Sequence, residues 1–132
     1  MLAVGDCTGH GVPGAILSML GMSILDYLAP TLVGYADFNA AKMLDEMNSL
    51  FKQSLHQRGD DDNHDGIDIA IIVIDSEKMK LHYAGAFRPM VCVSDGTLKK
   101  YNADRMPIGI HHMAADHFTN NEETYSISSA MA

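Results

Sequence analysis

The spacing of apolar residues predicts a strand followed by two helices in the first half of this chain. Residues 1–4 form a short apolar run, which predicts a buried strand with Asp6 at its end. Residues 13–28 carry apolar side chains on most faces, which predicts a buried helix that starts at Pro13 and ends before Pro30. A second helix is predicted over residues 38–57, with Asp37 as its N-cap and one apolar stripe against a core.

The second half of the chain has the pattern of strands. Residues 67–74 are nearly all apolar and rich in β-branched residues, which predicts a central strand buried on both faces. Further strands are predicted over residues 79–86, 90–93, 98–101 and 125–127, with a hairpin turn at Asp95-Gly96. Because helices and strands occupy separate parts of the 132 residues, we expect one α+β domain.

Charge and cysteine content exclude several classes of function. The formal net charge of −8 argues against binding to nucleic acid or to an anionic membrane surface, since both use Lys and Arg. The longest uncharged stretch near the start, residues 11–25, is shorter than the roughly 20 residues that span a bilayer, and no basic segment precedes it. Cys7 and Cys92 lack zinc-site spacing, and a reduced cytoplasmic setting is the simplest interpretation, although a disulfide between them stays open.

Three segments carry a family likeness through their order and spacing. They are VGDCTGHGVPGA at residues 4–15, DGIDIAI at residues 65–71, and YAGAFRP at residues 83–89 followed by PIG at residues 107–109. Together they resemble the SpoIIE/RsbU-type protein phosphatases of the metal-dependent PPM superfamily. The likeness covers nearly all of residues 2–127.

The resemblance implies both a fold and an activity. The fold would be a partial four-layer α-β-β-α sandwich of the PPM type, with two Mn²⁺ or Mg²⁺ ions between the sheets of the intact domain. The activity would be hydrolysis of phosphoserine or phosphothreonine by a metal-bound water. The expected substrate is a phosphorylated STAS-type anti-anti-sigma protein in sigma factor regulation. We expect a cytoplasmic domain whose parent protein can be membrane-anchored.

The resemblance also assigns candidate site residues. Asp6 matches the aspartate that bridges the metals, and the backbone carbonyl of Cys7 matches a second metal contact. Thr8, Gly9 and Gly11 match the loop that passes close to the metals. Carboxylates are the hard ligands that Mn²⁺ and Mg²⁺ prefer, and paired ions neutralise a phosphate monoester while generating hydroxide at neutral pH.

Other polar residues keep more than one interpretation. His10 is either a general acid or a loop residue bound to the backbone. Asp68 interrupts an apolar strand, so it is either hydrogen-bonded near the sheet end or placed behind the metal ligands. Asp95 lies in a Ser-Asp-Gly turn that precedes the PIG segment, and we expect only a structural role for it. Residues 61–66 begin like a calcium-binding loop, but Ile72 stands where that loop requires Glu, so we expect a solvated acidic loop.

The other metal aspartates of the family fall outside the matching segments. We therefore expect this chain to be the middle piece of a phosphatase domain, inactive by itself and weak in binding Mn²⁺. Unpaired strand edges would let it associate with a second copy as a homodimer. The alternative is a non-catalytic PPM-like regulatory or dimerisation module.

Overall fold

The computed structural model describes residues 1–32, 34–56, 65–109 and 117–125. One strand precedes two helices, and five further strands follow them, which confirms the α+β class. The elements are β1 (Leu2–Cys7), α1 (Gly11–Leu32), α2 (Ala40–Ser54), β2 (Ile67–Asp75), β3 (Lys80–Ala86), β4 (Met90–Ser94), β5 (Thr97–Tyr101) and β6 (Asn121–Thr124).

The larger sheet is antiparallel throughout and has the strand order β1-β2-β3-β6. Its central strand β2 presents Ile67, Ile69 and Ile71 to the helices, where all three are buried. The alternate residues face the other side of the sheet and are half-buried around Ile72. The predicted burial of β2 on both faces is therefore complete only on the helix face.

Helix α2 supplies the largest side chains of the core. Met43, Leu44, Met47 and Phe51 are fully buried against the sheet, as the apolar stripe predicts. Burial of each such side chain stabilises the fold by about 1.5–3 kcal/mol. The packing of this one face fixes α2 against β2 and β3.

The N-terminus of α2 differs from the sequence prediction. Asn39, and not Asp37, is the N-cap, because its side-chain oxygen accepts a hydrogen bond from the backbone N–H of Lys42 at 3.0 Å. Asp37 instead pairs with the Lys42 ammonium, and this hydrogen bond lowers the pKa of the Asp37 carboxyl. The helix ends at Ser54 rather than at residue 57, because His56 adopts a left-handed conformation with φ of 52°.

Helix α1 is longer and less buried than predicted. It continues to Leu32 with Pro30 inside its last turn, where a missing backbone N–H removes a single intrahelical bond without ending the helix. The prediction of burial on most faces was wrong: only one face packs on the core, and the opposite side is exposed. The buried residues are Leu17, Gly21, Ile24 and Leu28, and the exposed ones include Val12, Ile16, Met19, Met22 and Tyr27.

By length and composition alone, α1 could also cross a membrane, which corrects the expectation that this stretch is too short. The helix has 22 residues, whereas the uncharged segment that set the prediction ends at residue 25. Its buried face nevertheless belongs to the hydrophobic core shared with α2 and the sheet. This packing accounts for the apolar residues of the buried face, and the exposed apolar residues of α1 make no part of that core.

A β4–β5 hairpin covers part of the other face of the large sheet. Tyr83 from β3 packs there with Met90 and Tyr101, and the two tyrosine rings lie 6.3 Å apart. The turn has φ of 50° at Asp95 and 77° at Gly96, which confirms the predicted hairpin turn. Helices, large sheet and hairpin together form three layers of an α-β-β-α sandwich.

The final described strand, β6, covers Asn121–Thr124 and pairs with β3. The strand predicted over residues 125–127 lies mostly outside the described residues, which end at residue 125. The predicted acidic loop lies mostly outside the described residues, since residues 57–64 are not described. Cys7 and Cys92 are both free thiols, so no disulfide joins them.

Candidate functional site

Two carboxylates face each other across the first two strands of the large sheet. Asp6 on β1 is the direct cross-strand partner of Asp68 on β2. Directly opposed residues of an antiparallel pair have Cα atoms about 4.5–5.5 Å apart and side chains on the same face. The strand pairing therefore brings together a predicted metal ligand and a candidate that the sequence left open.

The shared face of Asp6 and Asp68 is the one that points toward the hairpin. Strand residues alternate between faces, and Gly5 and Cys7 line a small cavity against α1. Asp6 thus points away from the helices, on the same face as Ala70 and Ile72, which pack against the hairpin cluster. The Asp6–Asp68 pair lies on the face between the two sheets, where the resemblance implies the metals.

The hairpin leaves the β1 end of this face open. Val4 is 64% exposed, and the Asp6 side chain is 74% exposed, although both lie on the inter-sheet face. Asp68, one strand further in, is half-buried. A ligand can therefore reach Asp6 directly from solvent.

A single cation contacts this pair within the described part of the chain. Arg88 donates a hydrogen bond from Nη2 to Oδ2 of Asp6 at 3.0 Å. Like charges placed directly opposite each other destabilise a sheet, so the guanidinium offsets part of the repulsion between Asp6 and Asp68. The Asp68 side chain makes no hydrogen bond or ion pair with another described residue. A further cation at this position would be favourable.

Arg88 is the site residue that sequence reasoning missed. It follows β3 and precedes Pro89, and it lies 82 positions from Asp6 along the chain, so only the tertiary fold brings the two together. The available signal was the segment YAGAFRP, in which a strand ends and a cation is followed at once by proline. Proline restricts the backbone of the residue that precedes it, so Arg88 has few conformations available.

The connection that carries Arg88 is tightly built. The buried Tyr83 hydroxyl donates a hydrogen bond to the Arg88 carbonyl. Phe87, between them, has a left-handed φ of 59°. Burial raises the pKa of the Tyr83 hydroxyl to about 12, with a smaller contribution from the Asp104 charge, so the hydroxyl stays protonated as a donor.

Thr8, Gly9 and Gly11 form the loop between β1 and α1, and its close approach to metals stays a prediction. Thr8 Oγ1 accepts a hydrogen bond from the Gly66 N–H and lies 3.0 Å from the Gly66 carbonyl, so it ties the loop to the start of β2. Gly9 and Gly11 have φ of 84° and 65°, and a Cβ at either would meet nothing within 4 Å. The glycines are required by the left-handed backbone and not by a close approach within the protein.

Two other predicted site residues lie apart from the carboxylate pair. The Cys7 thiol points toward α1, where it accepts a hydrogen bond from Ser18 Oγ at 3.4 Å. The metal contact assigned to the Cys7 backbone carbonyl stays a prediction. His10 is exposed, and its general-acid role also stays a prediction.

The PIG segment supports the site from the helix side. Ile108 is fully buried and forms a backbone bridge with Ile67 through hydrogen bonds of 2.9 and 3.0 Å. A Cβ on Gly66 would lie 2.7 Å from the Ile108 carbonyl, so only glycine fits there. These contacts fix the first residues of β2, and with them the position of Asp68.

The donor set partly fits a divalent metal. Asp6 and Asp68 supply hard carboxylate oxygens, as Mn²⁺ and Mg²⁺ require. The described residues contain no cluster of three or more His, Cys, Asp or Glu side chains that could hold a metal. An ion at this pair would therefore complete its coordination with water or with groups beyond the described residues.

Comparisons with known proteins identify a family and a shared fold. The sequence model of a family described as Stage II sporulation protein E (SpoIIE) matches residues 1–127. The SiaA-PP2C domain of Pseudomonas aeruginosa is similar in structure, with a TM-score of 0.73, 26% identity and 94% of this chain covered. The structure of the RsbU and RsbW domains of Rv1364c from Mycobacterium tuberculosis has a TM-score of 0.63 at 19% identity over 95% of this chain, a likeness of fold.

The chain spans less than half the length of these structural neighbours. It covers 45% of the SiaA-PP2C chain and 32% of the Rv1364c chain. The search of curated proteins found no match.

Proposed function

Because this chain belongs to the SpoIIE family of PPM/PP2C-type phosphatase domains, we propose that it forms part of a metal-dependent serine/threonine protein phosphatase. The observation that carries the proposal is the cross-strand pair of Asp6 and Asp68 on the open inter-sheet face. A pair of like charges is costly unless a cation joins it, and a divalent ion is the cation that the family chemistry implies.

The residues of the site have separate roles in this proposal. Asp6, exposed and at the edge of the face, would hold the ion, and Asp68 would add a second carboxylate from the more buried strand. When bound, Mn²⁺ or Mg²⁺ supplies charge neutralisation and an activated water for attack on phosphorus. The Thr8–Gly66 hydrogen bonds hold the β1 end against the start of β2, so that the two carboxylates keep their spacing.

The substrate class follows from the chemistry and from the family likeness. The open β1 face admits a phosphoserine or phosphothreonine side chain carried by another protein. We propose a phosphorylated STAS-type regulatory protein as that partner, and a cytoplasmic location for the domain.

Phosphate release by the full-length protein tests the proposal. We expect Mn²⁺- or Mg²⁺-dependent release from phosphoserine and phosphothreonine peptides, abolished by chelation. Asp6→Asn should lower the rate by more than about 100-fold, since loss of a group that only hydrogen-bonds a metal ligand already costs about 10–100-fold. The matched control is Asp95→Asn, which removes a carboxylate from the hairpin turn and should leave the rate unchanged. Absence of metal-dependent release from every peptide would refute the proposal.

The second candidate is a non-catalytic regulatory or dimerisation module. It is favoured by the Asp6–Arg88 ion pair, which offsets one carboxylate of the site without any metal. Under this alternative, Mn²⁺ would bind no more tightly to the wild-type protein than to the Asp6→Asn variant. Sedimentation would then show a dimer that is insensitive to metal.

A further inference from the structure

We propose that Arg88 binds the phosphoryl group of the substrate, an inference that rests on the proposed phosphatase function. Its guanidinium contacts Asp6 through Nη2, and its side chain is 46% exposed. The other guanidinium N–H groups make no hydrogen bond to a described residue. Donors therefore remain beside the carboxylate pair, on the face that is open to solvent.

The chemistry of guanidinium suits this role. Arg presents five N–H donors in a planar fork that matches two oxygens of a phosphate, and it stays charged at any physiological pH. One donor held by Asp6 orients the plane, which leaves the others for an incoming anion. A chain with a net charge of −8 repels a phosphate dianion, and a cation at the entrance to the site offsets this repulsion.

Close packing and backbone hydrogen bonds fix the position of the Arg88 backbone. A Cβ on Gly85 would lie 2.2 Å from the Tyr83 hydroxyl oxygen and 2.3 Å from the Arg88 carbonyl oxygen, so glycine is required there. Phe87 accepts an unfavourable left-handed φ, and its N–H donates to the Asp104 carbonyl at 3.0 Å. Such strain persists where the surroundings over-determine a conformation, as they do at functional sites.

Equilibrium binding of inorganic phosphate tests the inference without requiring turnover. The full-length protein is titrated with phosphate by calorimetry in the presence of Mg²⁺. Arg88→Ala should weaken phosphate binding by roughly 10–100-fold, the loss expected for hydrogen bonds to a charged group. Arg88→Lys keeps the charge but loses the fork, and its affinity should fall between the two. Arg105→Ala, which removes an exposed Arg, is the matched control and should bind phosphate like the wild type.

Each outcome separates this inference from the phosphatase proposal. Unchanged phosphate affinity in Arg88→Ala and Arg88→Lys would overturn the role of Arg88 even if the wild type releases phosphate from peptides. Tighter Mg²⁺ binding in Arg88→Ala with unchanged phosphate affinity would show that Arg88 is only a counter-ion for Asp6. A wild type that binds phosphate through Arg88 but hydrolyses no peptide would support the inference and overturn the proposed reaction. Thermal melting shows whether each variant is folded. If Arg88→Ala is unfolded, the phosphate affinity of Arg88→Lys tests the role of Arg88.

Discussion

Replacement of Gly85 by alanine should damage both the fold and the position of Arg88. The added Cβ would lie 2.2 Å from the Tyr83 hydroxyl oxygen, 2.3 Å from the Arg88 carbonyl oxygen and 3.0 Å from the Ala103 Cβ. Two of these atoms are the donor and acceptor of one hydrogen bond, so the methyl group must separate them. The β3–β4 connection has to move as a consequence.

The size of the effect follows from two contributions. Overpacking a well-packed site costs about 1–3 kcal/mol, and loss of one net hydrogen bond adds about 1 kcal/mol. We expect Gly85→Ala to lower the free energy of unfolding by about 2–4 kcal/mol, a large part of the total of about 5–15 kcal/mol for a typical domain. Gly34→Ala is the matched control, because a Cβ there meets nothing within 4 Å, and its effect should stay within about 1 kcal/mol.

Urea unfolding followed by circular dichroism measures both variants, and a double-mutant cycle with Tyr83→Phe identifies the cause. The phenylalanine removes the hydroxyl from the crowded position, so Gly85→Ala should cost less in that background than in the wild type. If the two changes are additive, or if Gly85→Ala behaves like Gly34→Ala, the packing described around Arg88 is wrong.

Three further predictions concern titration, capping and charge. Burial raises the pKa of Tyr83 to about 12, above an unfolded value of about 10, so the folded state keeps this proton to a higher pH. The free energy of unfolding should therefore be unaffected by this group below pH 10 and should fall as the pH rises through 12. Tyr83→Phe should remove this part of the alkaline loss in ultraviolet and urea titrations. Asn39→Ala should lower the free energy of unfolding in urea by about 1 kcal/mol, whereas Asp37→Ala, at an exposed residue that does not cap α2, should change it much less. Asp68→Asn should raise the melting temperature in chelator, since it removes a repulsion with Asp6 worth about 0.2–1 kcal/mol. The same variant should be stabilised less by Mn²⁺ than the wild type. A lower melting temperature in chelator would contradict the charge argument.

The apolar pattern predicts the order of elements because local periodicity reports which residues face a core. The run of Ile residues in β2 and the stripe of α2 are examples, and both lie where the pattern places them. Element ends are less well determined. Asp37 and Asn39 are both good N-caps, and the choice between them depends on where α2 must begin in order to pack.

The exposed face of α1 could not be predicted from the sequence. Its apolar side chains lie all around the helix, and periodicity alone cannot tell which side meets the sheet. Pro30 illustrates a related difficulty, since a proline in the last turn removes one hydrogen bond and leaves the helix intact.

The candidate site shows the same division between local and tertiary information. Asp6 could be identified from its position in the segment VGDCTGHG and from the family that this segment resembles. Its pairing with Asp68 depends on the register of β1 against β2. Its ion pair with Arg88 depends on the β3–β4 connection. No spacing rule along the chain predicts either contact, because each joins residues more than 60 positions apart.

Paramagnetic broadening by Mn²⁺ tests the central claim most directly, because it detects even weak binding at the carboxylate pair. In a ¹⁵N-labelled sample titrated with substoichiometric Mn²⁺, the amide signals of residues 5–8 and 67–69 should lose intensity first. The Asp6→Asn variant should show much less of this loss. Broadening that begins at the 94–97 turn or along β6, with residues 5–8 unaffected, would contradict the claim that Asp6 and Asp68 gather a divalent cation between the sheets.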